Sequence, residues 1–235
     1  MSADSGPSLD LGKNNSTKPE SGDDDRYDCR VQFDDMFFRG PDGDEAEYRC
    51  NQWDCYCCGY RMRMNLIEEI KRITAQRPEM CRMLTLTLDP DAVPADPDDQ
   101  HEYITERWNA LRTRLKREIG DFSYIWVREE QASGLPHLHA IVSRFLPQET
   151  VATAWAQLGG GEIVDIRRVE NVQQTAHYLG KYLTKDALSG FPDGIRRYGS
   201  SADLSLSVRD SNDSATDWRL LTNDEYLEGA RPVVK

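Results

Sequence analysis

The chain is 235 residues long with a net charge of −12, enough length for one well-buried core and a small appended module. It holds no run of eighteen apolar residues, which excludes a membrane-spanning helix, and residues 1–26, rich in Ser, Asp, Gly and Asn, lack the apolar stretch of a secretion signal and read as a disordered acidic tail of a cytoplasmic protein. Asp outnumbers Glu 25 to 16 and Arg outnumbers Lys 22 to 7, a balance that predicts adaptation to high salt, where nonspecific attraction to phosphate is weak and binding leans on metal, stacking and hydrogen bonds.

Residues 27–78 read as a cysteine-rich module followed by a helix. From Cys29 to Tyr60 the chain is rich in cysteine, aromatics and acids and shows little periodicity. Cys50, Cys55, Cys57 and Cys58 crowd into nine residues; in a reducing compartment these are thiols rather than disulfides. The Cys50-x4-Cys55-x2-Cys58 spacing suits a zinc site completed by Cys29 or Cys81. It also matches a plant-type iron–sulfur run, but nothing else points to electron transfer. The preferred set is Cys29, Cys50, Cys55 and Cys58, whose zinc would fold a module too small for its own core.

Asn65 to Ile73 carries Leu66, Ile67, Ile70 and Ile73 at helical spacing, ending before Pro78. Cys81 to Leu88 alternates Met83, Thr85 and Thr87 with Leu84, Leu86 and Leu88, the pattern of a strand. Asp91 to Gln100 reads as an acidic loop, and His101 to Ile119 as an amphipathic helix stopped by Gly120. Phe122 to Gln131 and His137 to Ser143 form a hairpin. Pro147 to Leu158 is helical, Glu162 to Val169 a strand, and Asn171 caps a helix to about Leu188. The order β-α-β-β-α-β-α over residues 79–190 predicts an α+β domain: a ferredoxin-like, RRM-like antiparallel sheet backed by helices. Residues 191–235 are a polar extension with a short strand pair around Leu204 to Val208.

Two features of this domain carry chemistry. His137 and His139 are i, i+2 on a strand, so both imidazoles point to one face. The partner strand brings Glu129 or Glu130 beside them; parity alone does not say which. Two histidines and a carboxylate suit Mn²⁺ or Mg²⁺ with open positions for water and phosphate oxygens. Downstream, Tyr178, Lys181 and Tyr182 stand at i, i+3, i+4 on one helix face. A tyrosine hydroxyl is a weak nucleophile at its ordinary pKa of about 10 and needs a polarised phosphate or a nearby cation, which Lys181 offers. Together they form a constellation for breaking a phosphodiester bond.

In order, the strand Met83-Leu84-Thr85-Leu86-Thr87-Leu88, the strand Pro136-His137-Leu138-His139 and the segment Tyr178-Leu179-Gly180-Lys181 resemble the three motifs of the HUH endonuclease superfamily, and within it the rolling-circle replication initiators of haloarchaeal plasmids and viruses. The stretch from Glu129 to His137 is similar to the Glu-x-Gln-x-x-Gly-Leu-Pro-His run of Helitron-like and some archaeal initiators, which implies Glu129 as third metal ligand, with Glu130 second. The resemblance implies a metal-dependent single-strand DNA endonuclease and strand transferase. Tyr178 would attack an origin hairpin, become linked to the 5′ phosphate and free a 3′ hydroxyl; Tyr182 fits the spacing of a second nucleophile. Host polymerase and helicase are the implied partners, and Arg61, Arg63, Lys185, Arg196 and Arg197 the candidate DNA contacts. A transposase or relaxase shares these motifs. A different reading is a noncatalytic zinc-binding regulator of nucleic acid on the same sheet.

Overall fold

The computed structural model describes residues 27–32, 37–40, 43, 45–131, 133–169, 179, 191, 194–208 and 219–221. In chain order the elements are α1 (Cys29–Gln32), β1 (Phe37–Arg39), β2 (Glu45–Glu47), α2 (Tyr56–Gln76), β3 (Arg82–Leu86), α3 (Pro97–Ile119), β4 (Tyr124–Glu130), β5 (Pro136–Val142), α4 (Gln148–Gln157), β6 (Val164–Arg168), β7 (Tyr198–Ser200) and β8 (Arg219–Leu221). They fall into two compact units, residues 66–206 and residues 1–65 with 207–235. Among the described residues no helix is long and apolar enough to cross a membrane.

The larger unit holds a five-stranded sheet of order β6-β3-β5-β4-β7, with every neighbouring pair antiparallel. With α3 between β3 and β4, and α4 between β5 and β6, the first four strands make the split βαβ arrangement expected from the element order. Strand alternation sorts the side chains. Leu84, Leu86, Leu88, Tyr124, Trp126, Leu138, Ala140, Val142 and Val164 join one cluster with Ile104, Trp108, Leu111 and Leu115 of α3 and Val151, Ala154 and Trp155 of α4. Met83, Ile125, Val127 and Ile141 point to the other face and are also buried. That second face carries the histidines.

Several boundaries differ from the sequence expectation for physical reasons. Helix α3 begins at Pro97 rather than His101 because Asp96 caps it, accepting from the Asp98 amide at 2.9 Å. Proline, a loop signal elsewhere, here occupies the first helical position, where its missing N–H costs nothing. Gly160, in the turn between α4 and β6, lies flat against an indole: a Cβ there would fall 2.1 Å from the Trp155 ring. The Trp155 indole N–H in turn donates to the Thr87 carbonyl at 2.9 Å, tying α4 to the end of β3. Leu204 to Val208 does not form the expected strand pair. The additional edge strand is instead β7, which pairs Val127 with Tyr198 and Ile125 with Ser200. The helix expected from Asn171 to Leu188 lies outside the described residues, except for Leu179, which is buried.

The smaller unit is more ordered than a loop module. Its sheet has the order β2-β1-β8, and Phe38 and Tyr48 pack with Cys29, Cys55 and Cys58. Helix α2 starts at Tyr56, nine residues before the Asn65 expected from periodicity. The buried stripe is Cys58, Met62, Leu66, Ile70 and Ile73. A buried thiol serves as an apolar position, which extends the helical period backwards into the cysteine segment.

Candidate metal centres and catalytic site

The hairpin register decides which carboxylate faces the histidines. Glu129 pairs with His137, Val127 with His139, and Glu130 with Pro136. Glu129 therefore shares the histidine face, and its Oε2 lies 2.9 Å from His139 Nε2. Glu130 points to the opposite face, where burial pushes its pKa up. Ligands bound at about 2.1 Å on adjacent vertices of an octahedron stand about 3.0 Å apart, so the His139–Glu129 spacing already suits one cation. His137 and His139 are 6% and 3% exposed, and their ring centroids are 6.2 Å apart.

Each ring is held by a side chain to which the sequence pattern alone assigns no role. Thr85 Oγ1 lies 3.1 Å from His139 Nδ1, a contact created by the Thr85–His139 pairing across β3 and β5. The Gln131 side-chain amide lies 3.2 Å from His137 Nδ1. His137 Nε2 is buried without a partner. With the Gln131 oxygen accepting from Nδ1–H, the Nε2 lone pair is free for a metal. Burial, aided by His139, pushes His137 down to about 4 against the pull of Glu129, so the ring is neutral and ligand-competent at neutral pH. The donor chemistry, the 2.9 Å pair and the orphaned nitrogen fit a divalent cation.

The cysteines converge more tightly. The ligand atoms of Cys29, Cys55, Cys57 and Cys58 all lie within 4.8 Å of one another, and among the described residues this is the one such set of three or more ligating side chains. Sulfur–sulfur distances are 3.5 Å for Cys29–Cys58, 3.6 Å for Cys29–Cys57 and 3.7 Å for both Cys55–Cys57 and Cys57–Cys58. A disulfide needs about 2.05 Å. A tetrahedron with metal–sulfur bonds of about 2.3 Å has edges of about 3.8 Å. The four thiols are thus spaced to hold a metal ion. The Cys29 thiol acts as donor to its neighbours, and that hydrogen bond is the main cause that draws Cys58 down to about 6; Cys55 is lowered for the same reason.

This set differs from the expected one by one residue. Cys57 takes the place of Cys50, which packs against the cluster and interacts with the Cys29, Cys55 and Cys58 thiols. Adjacent helix residues point about 100° apart, so spacing alone favours only one of Cys57 and Cys58; at the first turn of α2 both sulfurs reach the cluster. The backbone is shaped for this approach. Gly59 stands inside α2 because a Cβ there would fall 2.1 Å from the Trp53 carbonyl oxygen. Cys81 belongs to the larger unit.

Of the cations expected to contact DNA, Arg61 donates to Asn51 Oδ1 at 3.0 Å, and the Arg63 guanidinium lies 5.6 Å from the centre of the exposed Tyr60 ring. Arg196 is exposed. Arg197 is buried, with its guanidinium 5.0 Å from the Phe191 ring, so it does not line an open channel. Tyr178, Lys181, Tyr182 and Lys185 lie outside the described residues.

Residues 81–187, 107 of the 235, match the model of a replication-associated protein family, the ORF2 type. The matched segment opens one residue before β3 and spans both strands of the histidine hairpin. The match supports a replication initiator of the Rep type. No curated protein and no solved structure matches the chain.

Proposed function

We propose that the protein is a rolling-circle replication initiator that nicks and rejoins single-stranded DNA through a tyrosine nucleophile. The observation that carries this reading is the co-facial set of His137, His139 and Glu129, inside the segment similar to replication-associated proteins. In the proposed reaction the Tyr178 hydroxyl attacks a phosphorus at the origin hairpin and loses its proton. A phosphorus–oxygen bond to the 3′ carbon breaks. The products are a 5′-phosphotyrosine and a free 3′ hydroxyl for the host polymerase. Attack of a 3′ hydroxyl on the phosphotyrosine reverses the step and reseals the strand. Lys181 offsets charge on the phosphate, and Tyr182 serves as the second nucleophile.

His137, His139 and Glu129 would hold Mn²⁺ or Mg²⁺, whose chemistry at this place is to polarise a phosphate oxygen. Thr85 and Gln131 keep the two rings oriented. The four-cysteine cluster would hold a structural zinc, and Arg61, Arg63, Lys185 and Arg196 would contact the strand.

The test is a covalent-adduct assay on circular single-stranded DNA of the protein's own replicon, with Mn²⁺ in high salt, read on a denaturing gel. A shifted band that disappears with EDTA and in Tyr178→Phe is expected. Cleavage that survives Tyr178→Phe sinks the tyrosine assignment. A folded, metal-loaded protein that forms no adduct and binds DNA regardless of EDTA is a noncatalytic regulator.

A further inference from the structure

The helix-covered side of β4 holds a cluster of buried cationic groups that the nicking reaction does not use. Arg128 lies on the face of β4 opposite Glu129 and is 1% exposed, while His101 on α3 is 2% and Arg197 9% exposed. Arg128 Nη2 donates to the Thr105 hydroxyl, which donates to the His101 carbonyl at 2.8 Å. The Arg128 amide donates to the Arg197 carbonyl at 2.7 Å. Aromatic rings wall the cluster. His101 and Phe191 are 4.8 Å apart, centre to centre, and the Arg128 guanidinium lies 5.6 Å from the Trp126 ring.

Three donor sites in this cluster are unspent. Arg128 Nε and Nη1, and His101 Nδ1, are buried without a hydrogen-bond partner, and among the described residues no carboxylate pairs with Arg128. Burial pulls Arg128 down only to about 10, so it stays charged at neutral pH. An isolated buried guanidinium with two idle nitrogens is costly, and such groups persist when paired with an opposite charge. A water molecule could accept the hydrogen bonds but would leave the charge uncompensated.

We propose that this cluster binds a small inorganic anion, a halide or a tetrahedral oxyanion, held by the idle N–H groups of Arg128 with His101 Nδ1–H as a further donor. The bound anion would compensate the charge behind β4, one residue from Glu129. The proposal does not depend on the nicking reaction.

The experiment is thermal unfolding of the desalted full chain at constant ionic strength. Chloride or phosphate progressively replaces a bulky sulfonate too large to enter. The wild-type chain is expected to gain several degrees in Tm with a saturating dependence, as ligand linkage requires, and Arg128→Met is expected to lose that dependence. A response to chloride alone identifies a halide site, and a response to phosphate alone an oxyanion site. A wild-type Tm indifferent to the anion overturns the proposal. So does an Arg128→Met chain that keeps the full response, or one that is simply more stable in every salt, because a buried charge without a ligand is improved by an apolar replacement. If Arg128→Met does not fold, His101→Phe carries the same comparison, since it removes Nδ1 and keeps a ring against Phe191. Isothermal titration of chloride and of phosphate into the wild-type chain reads the site without any variant, and no saturable uptake of either overturns the proposal.

Discussion

Removing one thiol from the cysteine cluster tests the folding of the smaller unit most directly. Its core has few apolar groups: Phe38 and Tyr48 are the two rings packed on Cys29, Cys55 and Cys58. Each buried ring contributes about 2–3 kcal/mol, whereas a four-thiolate zinc site contributes about 10–16 kcal/mol. The metal would therefore dominate the stability of this unit. Cys58→Ser removes one of four ligands and should cost about a quarter of that, roughly 3 kcal/mol, which is about a hundredfold in metal affinity. The assay is competition with a chelator, read by elemental analysis after gel filtration and by the number of thiols open to a colorimetric reagent. The wild-type chain should retain one metal ion and shield its four thiols; Cys58→Ser should lose the metal at a far lower chelator concentration. Cys57→Ser should behave like Cys58→Ser, whereas Cys50→Ser should retain the metal. Equal losses from Cys50→Ser and Cys57→Ser would refute the four-sulfur set. A native chain without metal whose thiols all react freely would refute the site.

Three further outcomes are expected. Thr85→Val and Gln131→Leu should each lower Mn²⁺ affinity about 10–100-fold with an unchanged circular-dichroism spectrum, because each removes a side chain that orients a ligating ring; isothermal titration measures this, and unaltered affinity in both would show that the rings orient themselves. Trp108→Ala should destabilise the larger unit by about 3–5 kcal/mol in urea unfolding, since the indole is 2% exposed at the centre of the helix–sheet core. Burial, then Arg128 and Arg197, holds His101 at about 4 against an ordinary 6.5, so its neutral form carries stability that is fully present above pH 6.5 and is lost as pH falls towards 4, by about 3 kcal/mol. Urea midpoints of the wild type and His101→Phe in anion-free buffer should diverge across that window, and parallel curves would contradict the assignment.

The sheet is legible in the sequence because its signals are local. Alternation in β3 sends Leu84 and Leu86 to the helices and Thr85 to the histidine face, and the element order implies a ferredoxin-like arrangement before any pairing is known. What pattern cannot carry is register. Glu129 and Glu130 are equivalent in the sequence until the hairpin pairs Glu129 with His137. The same blindness hides Thr85 as a partner of His139, since their contact depends on β3 lying beside β5. β7 is three residues long, too short for any period to show. Helix α2 outruns its aliphatic period because Cys58 and Met62, inside the cysteine segment, continue the buried stripe. Arg128 has the reverse problem: a charge among Val127, Glu129 and Glu130 reads as solvent-facing, yet it is among the most deeply buried side chains.

β4 explains why one strand can carry two charges of opposite sign without their pairing. Successive strand residues point to opposite faces, so Glu129 joins the histidines while Arg128, one residue away, is sent among the helices. An ion pair between them would satisfy both groups and leave neither available to a ligand. Separation by the sheet leaves the carboxylate side suited to a cation and the guanidinium side suited to an anion. The two faces then make opposite demands: substituting Glu129 should weaken divalent-cation binding and leave the anion response intact, and substituting Arg128 should do the reverse. A single variant that abolished both responses would mean that β4 itself had come apart.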